Sequence, residues 1–296
     1  MTDQTRPNLI SLLLLVSLLL IAMISIQSGA SLAKSMFAVV DAQGTTALRL
    51  IFGSLIMLLL LRPWRAKLTA STVRTLVIYG IALGGMNFLF YMSLRSVPLG
   101  IAVALEFTGP LAVAIFGSRR PIDFAWVALA VLGLILLIPM GEAGDSLDLI
   151  GAGYALGAGA CWGVYILFGQ KAGADNGVQT AALGVLIAAL FIAPIGIVHA
   201  GTALLTPSLI PIALAVAVLS TALPYSLEMV ALTKMPTRTF GILMSMEPAI
   251  GALSGLFFLH EHLSGAQWAA IACIILASIG ATLTISRTPK TLVVSD

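Results

Sequence analysis

Long apolar stretches alternate with short polar connections along the whole chain. Ten of these stretches have the ~20 residues that an α-helix needs to cross the ~30 Å hydrocarbon core of a bilayer. Each predicts a membrane-spanning helix, because only helices and closed barrels satisfy all their backbone hydrogen bonds inside lipid. The predicted spans are 9–29, 44–61, 73–94, 98–117, 123–140, 150–170, 178–198, 208–228, 239–259 and 265–285. The pattern therefore predicts an all-α polytopic membrane protein with ten transmembrane helices.

The composition agrees with this pattern. Of 296 residues, 59% are hydrophobic and 9% are charged, whereas a soluble domain has about 25% charged residues. The chain has too few charges to cover a water-facing surface, so the lipid bilayer is its expected surrounding. The basic pI of about 9.0 does not indicate a nucleic-acid partner, because the positions of the Lys and Arg residues have another explanation.

Lys and Arg residues lie mainly on one side of the predicted bundle. With the N-terminus in the cytoplasm, twelve of them fall in cytoplasmic segments, only Lys34 and Arg95 fall outside, and Arg49 lies within the second span. Cytoplasmic loops of membrane proteins carry such an excess of positive charge. The distribution therefore predicts a multi-pass protein of the cell inner (cytoplasmic) membrane with both termini in the cytoplasm.

Prolines bracket the fourth and the ninth predicted spans in the same way. Pro98 and Pro110 are twelve residues apart, and so are Pro236 and Pro248, shifted by 138 positions. A repeated pattern at a fixed offset indicates that the two halves of the chain are copies of one unit. Within spans, Pro110 and Pro248 are also expected to kink their helices, because proline has no N–H for the helical hydrogen bond.

The chain is therefore predicted to consist of a first five-helix repeat at 1–141 and a second at 142–296. Because five is odd, the second repeat must be inverted relative to the first. Inverted repeats are typical of secondary transporters, whose substrate site lies near the midplane between the halves. This organisation predicts a central cavity and a transport function.

Two carboxyl groups lie deep within the predicted spans. Glu106 follows Pro98 by eight residues, ~12 Å from the outer surface, and Glu247 follows Pro236 by eleven, ~16 Å from the cytoplasmic surface. Both lie near the midplane, where a charge facing lipid costs roughly 2.5 kcal/mol or more and where acids commonly line substrate or proton paths. The alternative is a protonated acid that hydrogen-bonds across helices. We expect Glu106 above all to act in proton coupling or in binding a substrate ammonium group.

Three further ionisable residues are candidates for the same site. Arg49, inside the second span, is expected to pair with a buried glutamate or to bind a substrate carboxylate, unless it snorkels to the outer interface. Lys34, nearer the outer surface, has the same alternatives. Glu228, at the cytoplasmic end of the eighth span, either belongs to the path or is solvated or paired with Lys234.

Neutral polar and aromatic side chains at membrane depth complete a candidate cavity lining, although each could instead serve interhelical packing. They are Gln27, Asn87, Tyr91, Trp162, Tyr165 and Tyr225. We expect His260-Glu261-His262 to form a solvated outer turn rather than a metal site, because it lacks convergent ligands. No phosphate-binding loop or catalytic motif is found, which argues against an enzyme and a cofactor and leaves electrochemical coupling.

The sequence resembles the EamA-type exporters of the drug/metabolite transporter superfamily. The resemblance lies in the paired five-helix halves and in several strings, which are Ala47-Leu48-Arg49, Trp162-Gly163, 28–34, 98–110, 220–229 and 236–240. It covers about residues 14–286. One departure is Ser118-Arg119-Arg120 after the fourth span, where the family commonly has a Gly-Glu pair.

The resemblance implies ten helices in two inverted halves around a central cavity, and export of small neutral amino acids such as L-threonine and L-homoserine with protons as coupling ion. The zwitterion's ammonium group would suit Glu106 or Glu247, and its carboxylate would suit Arg49, Lys34 or a half-helix N-terminus near Pro110 or Pro248. A broader drug, metabolite or aromatic amino-acid exporter of the same architecture is the alternative. The oligomeric state stays open.

Overall fold

The computed structural model describes residues 9–66, 68–116, 121–137, 148–234 and 243–285, and these residues form helices and short turns with no β-strand among them. The first six helices are α1 (Leu9–Lys34), α2 (Phe37–Leu61), α3 (Ala70–Ser93), α4 (Leu99–Glu106), α5 (Thr108–Phe116) and α6 (Pro121–Leu137). The others are α7 (Leu149–Asn176), α8 (Val178–Ala200), α9 (Leu209–Ala217), α10 (Leu223–Lys234), α11 (Glu247–Leu259) and α12 (Gly265–Ile285). A π-helical turn, Val218–Ala222, joins α9 to α10.

The prediction of an all-helical, membrane-spanning chain is confirmed. Six helical stretches are long and apolar enough to cross a membrane, namely Leu13–Lys34, Phe37–Leu61, Ala70–Ser93, Leu149–Gly173, Val178–Leu205 and Leu209–Glu228. Four shorter apolar helices accompany them, at Leu99–Val113, Phe124–Leu136, Glu247–Leu259 and Gly265–Gly280. Large apolar side chains such as Leu59 and Val198 are exposed on the outside of the bundle, as expected for a surface that faces lipid.

The second helix begins earlier than predicted. Its first turn starts at Phe37 instead of 44, and the backbone breaks at Asp41, which has φ 52° and ψ −176°. This conformation is strained for a residue with a Cβ. The Asp41 side chain stabilises the break, because its Oδ1 accepts a hydrogen bond from the Ala42 N–H at 2.7 Å. The polar residues that suggested a loop thus mark a break between two helical segments.

The fourth predicted span is interrupted in its middle. Helix α4 ends at Glu106, Phe107 is a turn, and α5 continues from Thr108. Pro110 has no N–H, so the Glu106 carbonyl cannot accept the usual helical hydrogen bond from four residues ahead. In the ninth predicted span, residues 245–246 form a turn and α11 begins at Glu247, directly before Pro248. Residues 239–242 of that span lie outside the described part of the chain.

Small residues bring the interrupted helices close to their neighbours. A Cβ added to Gly100 would lie 2.6 Å from the Ala252 Cα, so α4 and α11 cross with their backbones nearly in contact. A Cβ on Gly159 of α7 would lie 2.5 Å from the carbonyl oxygen of Glu106. In lipid such contacts, rather than a hydrophobic force, hold helices together. They fix the end of α4, and with it the position of Glu106.

The helices pair in a regular way. Helix α2 packs on α8, α4 on α11 and α6 on α12, while α3 packs on α7 and α1 on α10. Among the described residues, the largest group of buried apolar side chains centres on α1 and α4 and extends to α2, α3, α7, α9 and α12. Each close pair therefore joins a helix of residues 9–137 to one of residues 149–285.

Polar contacts join the connections at one end of the bundle, the end that the charge pattern predicts to lie outside. Lys34 Nζ lies 2.7 Å from Glu261 Oε1, and Glu261 Oε2 accepts the Leu99 N–H at 2.7 Å. We call these three groups the outer latch. At the same end, the Ser96 hydroxyl donates to Asp148 at 2.5 Å, and this bond, with the Ile150 N–H, holds the pKa of Asp148 below its usual range.

Candidate functional site

A cavity lies in the middle of the bundle, between α1, α2, α3, α4, α7, α10 and the start of α11. Its volume is about 50 Å³, which exceeds the ~10–15 Å³ that one water molecule requires. It is lined by Ile26, Gln27, Ala30, Arg49, Met86, Asn87, Phe90, Glu106, Trp162, Tyr165, Tyr225, Glu228, Met244 and Glu247. The lining combines charged groups with aromatic and apolar side chains, as ligand sites commonly do.

Three carboxyl groups and one guanidinium group face this cavity. Glu106 is 7% exposed and Glu247 is 5% exposed, while Glu228 is partly buried. Gln27 donates a hydrogen bond from Nε2 to Glu247 Oε1 at 3.2 Å. Away from bulk water, negative carboxylates near one another repel strongly. A bound proton or a substrate ammonium group relieves that repulsion, so the arrangement favours binding of either.

Arg49 is held in a fixed orientation beside the carboxyl groups. Its Nε donates to Thr221 Oγ1 at 3.0 Å, and a terminal nitrogen donates to the Ser220 carbonyl. Its guanidinium carbon lies 5.1 Å from the centre of the Tyr91 ring, within range of a cation–π interaction. Since a guanidinium group carries five N–H donors, others stay available for a substrate carboxylate. Burial in the cavity wall also excludes the alternative of snorkelling to the interface.

The two acceptors of the Arg49 hydrogen bonds, one main-chain and one side-chain, belong to the π-helical turn. The carbonyl of Ser220 and the hydroxyl of Thr221 both face α2 there, and a Cβ on Gly53 of α2 would lie 2.6 Å from Thr221 Cγ2. The π-helical turns of proteins often lie at functional sites, because their wider backbone redirects carbonyls and side chains. This turn aims two acceptors at one guanidinium group.

A neutral polar pair faces the same space. Asn87 of α3 donates from Nδ2 to the Leu83 carbonyl at 2.8 Å and to the Tyr225 hydroxyl at 3.2 Å. The Tyr225 hydroxyl lies 3.5 Å from Asn87 Oδ1. The pair joins α3 to α10 across the cavity.

Aromatic rings shape another wall. Trp162 meets Phe107 edge to face, with 5.7 Å between ring centres. Tyr165 stacks on Tyr79 with a separation of 4.9 Å. Both contacts fall within the 4.5–7 Å range of favourable aromatic pairs, so these rings form a firm surface for a bound molecule.

The structure brings most of the predicted site residues to this cavity. They are Glu106, Glu247, Glu228, Arg49, Gln27, Asn87, Trp162, Tyr165 and Tyr225. Tyr91 lies beneath Arg49 and is fully buried, so it supports the site without lining the cavity. Lys34 lies in the outer latch, away from the cavity wall, because Glu261 binds its ammonium group.

Some residues were missed by the sequence reasoning. Phe90 and Met86 flank Asn87 on α3 at helical spacing, which could have identified them as lining residues. Ser220 and Thr221 gave no signal, because their role depends on the π-helical turn. The expectation of a solvated turn at 260–262 is wrong for Glu261, whose side chain is 15% exposed and binds both Lys34 and the α4 N-terminus.

Comparisons with known proteins extend this picture. Residues 149–283 match the EamA-like transporter family. The threonine/homoserine exporter RhtA of Salmonella typhimurium strain LT2 is 61% identical over 290 residues, 98% of each chain. The threonine/homoserine exporter RhtA of Escherichia coli strain K12 is 60% identical over 273 residues, 92% of each chain. A protein of known crystal structure, 21% identical, has the same fold with a TM-score of 0.60 over 92% of this chain and 99% of its own.

Proposed function

The chain belongs to the EamA-like transporter family, and from this premise we propose that it exports L-threonine, L-homoserine and related small amino acids across the cytoplasmic membrane. As a member, it is a multi-pass membrane transporter and not an enzyme. The substrates follow from the names of relatives that are 60–61% identical. The observation that carries the proposal is the central cavity, in which three carboxyl groups face one guanidinium group.

We propose that ten spans form two inverted repeats, at 1–141 and 142–296. The cavity supports this division, because eight of its lining residues form pairs separated by 138 positions, the same offset that relates the bracketing prolines. These pairs are Gln27 with Tyr165, Asn87 with Tyr225, Phe90 with Glu228, and Glu106 with Met244. The helix pairing agrees, since α3 on α7 and α10 on α1 are equivalent contacts under that relation.

In this arrangement the zwitterionic substrate binds with its carboxylate at Arg49 and its ammonium group at Glu106 or Glu247. Arg49 is 2% exposed, and a buried charge is stable only with partners. The substrate carboxylate supplies one such partner, and the carboxyl groups of the opposite wall supply the counterpart for the ammonium group. Glu228, farther toward the cytoplasmic end, gives a further acceptor on the path.

Transport would proceed by alternating access coupled to protons. Both termini would lie in the cytoplasm. The outer latch would then lie at the outer side of the membrane, and the C-terminal end of α10, the helix that carries Glu228, would lie at the cytoplasmic side. The latch closes the cavity toward the outside, and its release would open that side. Glu106 would exchange a proton for the substrate ammonium group, because both stabilise the same buried carboxylate.

The proposal is tested by counterflow of labelled threonine in proteoliposomes, with unlabelled amino acids as competitors at two pH values. We expect homoserine to compete and uptake to depend on pH. Glu106→Gln should abolish that dependence, because the amide cannot release a proton. If Glu106→Gln left proton-dependent exchange unchanged, the role of Glu106 would be refuted while export itself could still stand.

The aromatic lining supports a second candidate, a broader exporter of drugs or aromatic amino acids. Four aromatic rings, those of Phe90, Trp162, Tyr165 and Tyr225, face the cavity. The buried charged groups of Arg49, Glu106 and Glu247 in the same lining favour a small zwitterion instead. Competition by cationic dyes but not by homoserine in the same assay would select the second candidate.

A further inference from the structure

Arg49 and the glutamates recognise groups that every amino acid carries. Threonine and homoserine differ from valine and norvaline only by a hydroxyl in place of a methyl group. The inference rests on the proposed function. To distinguish these isosteres, the protein needs a recognition group elsewhere in the cavity. A site built to hydrogen-bond a hydroxyl rejects the analogue that lacks it, because its own polar groups are then left unpaired.

The Asn87 amide is held in one orientation. Its two Nδ2 hydrogens are used by the Leu83 carbonyl at 2.8 Å and the Tyr225 oxygen at 3.2 Å. The remaining contact, from the Tyr225 hydroxyl to Asn87 Oδ1, is 3.5 Å and therefore weak. Because the Tyr225 oxygen already accepts from Asn87, its own hydrogen can point elsewhere. The pair thus presents one acceptor, Asn87 Oδ1, and one donor, the Tyr225 O–H.

We propose that Asn87 and Tyr225 form the hydroxyl-recognition site of the cavity. An alcohol is both a donor and an acceptor, so it can donate to Asn87 Oδ1 and accept from the Tyr225 O–H. Both side chains are buried, at 4% and 6% exposure, and a substrate hydroxyl there replaces lost hydration. A methyl group in the same position leaves both polar atoms unpaired.

The other neutral polar side chains of the cavity fit this task less well. Gln27 has an Oε1 acceptor without a partner, but its Nε2 donates to the Glu247 carboxyl group, so its amide is oriented by an ionisable residue. Tyr165 is hydrogen-bonded to Tyr79 and stacked on it, and the Trp162 indole only donates. Among the side chains that the structure places on the lining, the Asn87–Tyr225 pair alone offers a donor and an acceptor together without an ionic partner.

The position of the pair also suits a selective step. Asn87 belongs to α3 and Tyr225 to α10, so the two halves of the recognition site come from different halves of the chain. Movement of one half against the other separates donor from acceptor. Recognition of the hydroxyl is therefore complete only while both halves enclose the substrate.

The test measures competition in threonine counterflow by pairs of isosteres, threonine against valine and homoserine against norvaline. In the unaltered protein, each hydroxylated member should compete at least about tenfold better. Tyr225→Phe removes the hydroxyl, and with it both the proposed donor to the substrate and the acceptor of the Asn87 Nδ2–H. It should reduce both ratios about 3- to 10-fold, the value of one hydrogen bond. The matched control is Tyr154→Phe on α7, a partly buried tyrosine outside the cavity lining, which should leave the ratios unchanged.

Three results would count against the inference. Equal competition by valine and threonine in the unaltered protein overturns it, even if Tyr225→Phe does not fold. Ratios that stay unchanged in Tyr225→Phe overturn it while the export proposal stands. Absence of any threonine counterflow in the unaltered protein refutes the proposed function, and the inference falls with it.

Discussion

The outer latch offers the sharpest test of the conformational part of the proposal. Glu261→Gln keeps an oxygen for the Leu99 N–H but removes the charge that binds Lys34. The side chains of the pair are 25% and 15% exposed, so their bond contributes more than the ~0–1 kcal/mol of an exposed ion pair and less than the ~3 kcal/mol of a strong charged hydrogen bond. A loss of about 1–2 kcal/mol should raise the population opened to the outside by about 5- to 30-fold.

The assay uses a reporter cysteine at Ala30, a lining residue of α1, in a chain whose Cys161 and Cys273 are replaced by serine. A membrane-impermeant thiol reagent is added from the outside, and the labelling rate is compared between latch variants. Glu261→Gln and Lys34→Gln should both label faster by the factor above. Lys171→Gln, an exposed lysine on α7, should label like the parent.

The charge-reversed double variant, Lys34→Glu with Glu261→Lys, separates the ion pair from local effects. It should restore slow labelling, because opposite charges again face each other. Unchanged labelling in both single variants would show that the latch does not hold the outer side closed. Fast labelling in the double variant would show that charge pairing alone does not close the outer side, and that the Leu99 N–H needs the acceptor that a lysine at position 261 does not supply.

Two further predictions concern packing and binding. Gly159→Ala should lower the free energy of unfolding by about 1–3 kcal/mol, because the added Cβ would lie 2.5 Å from the Glu106 carbonyl oxygen. The control is Gly153→Ala on the same helix, whose Cβ would meet nothing within 4 Å. In the same melting experiment this variant should be as stable as the parent or more stable. Arg49→Lys should raise the half-saturation concentration for threonine counterflow about tenfold or more, since an ammonium group cannot bind Thr221, the Ser220 carbonyl and a carboxylate in the planar arrangement of guanidinium. A half-saturation concentration that stays at the parent value would remove Arg49 from the binding site.

Features that depend on local periodicity and on depth in the membrane could be predicted from the sequence. Apolar runs located the helices, and the cost of burying charge identified Glu106, Glu247 and Arg49 as residues of an interior site. The proline spacing predicted that the helices around Pro110 and Pro248 would not be regular, because the missing N–H is a local property.

Features that depend on distant contacts could not be predicted in this way. Lys34 and Glu261 are 227 positions apart, and nothing local in either segment indicates the other. The hydrogen bonds of Arg49 to Ser220 and Thr221 depend on a π-helical turn, and no residue type strongly favours the formation of a π-helical turn. Asp41 likewise has distant partners, since Arg95 Nε and His199 Nε2 lie 3.2 Å and 3.6 Å from its carboxylate oxygens.

The paired positions around the cavity have a consequence for how a solute lies within it. A cavity with true two-fold symmetry would hold an asymmetric molecule in two poses of equal energy. Here the proposed symmetry relates Glu106 to Met244 and Phe90 to Glu228, so the backbone framework is duplicated while the chemistry is not. That mismatch removes the degeneracy. Under the proposed mechanism, a zwitterion would have one preferred pose, and its dipole would keep one direction relative to the protein while the two halves moved around it.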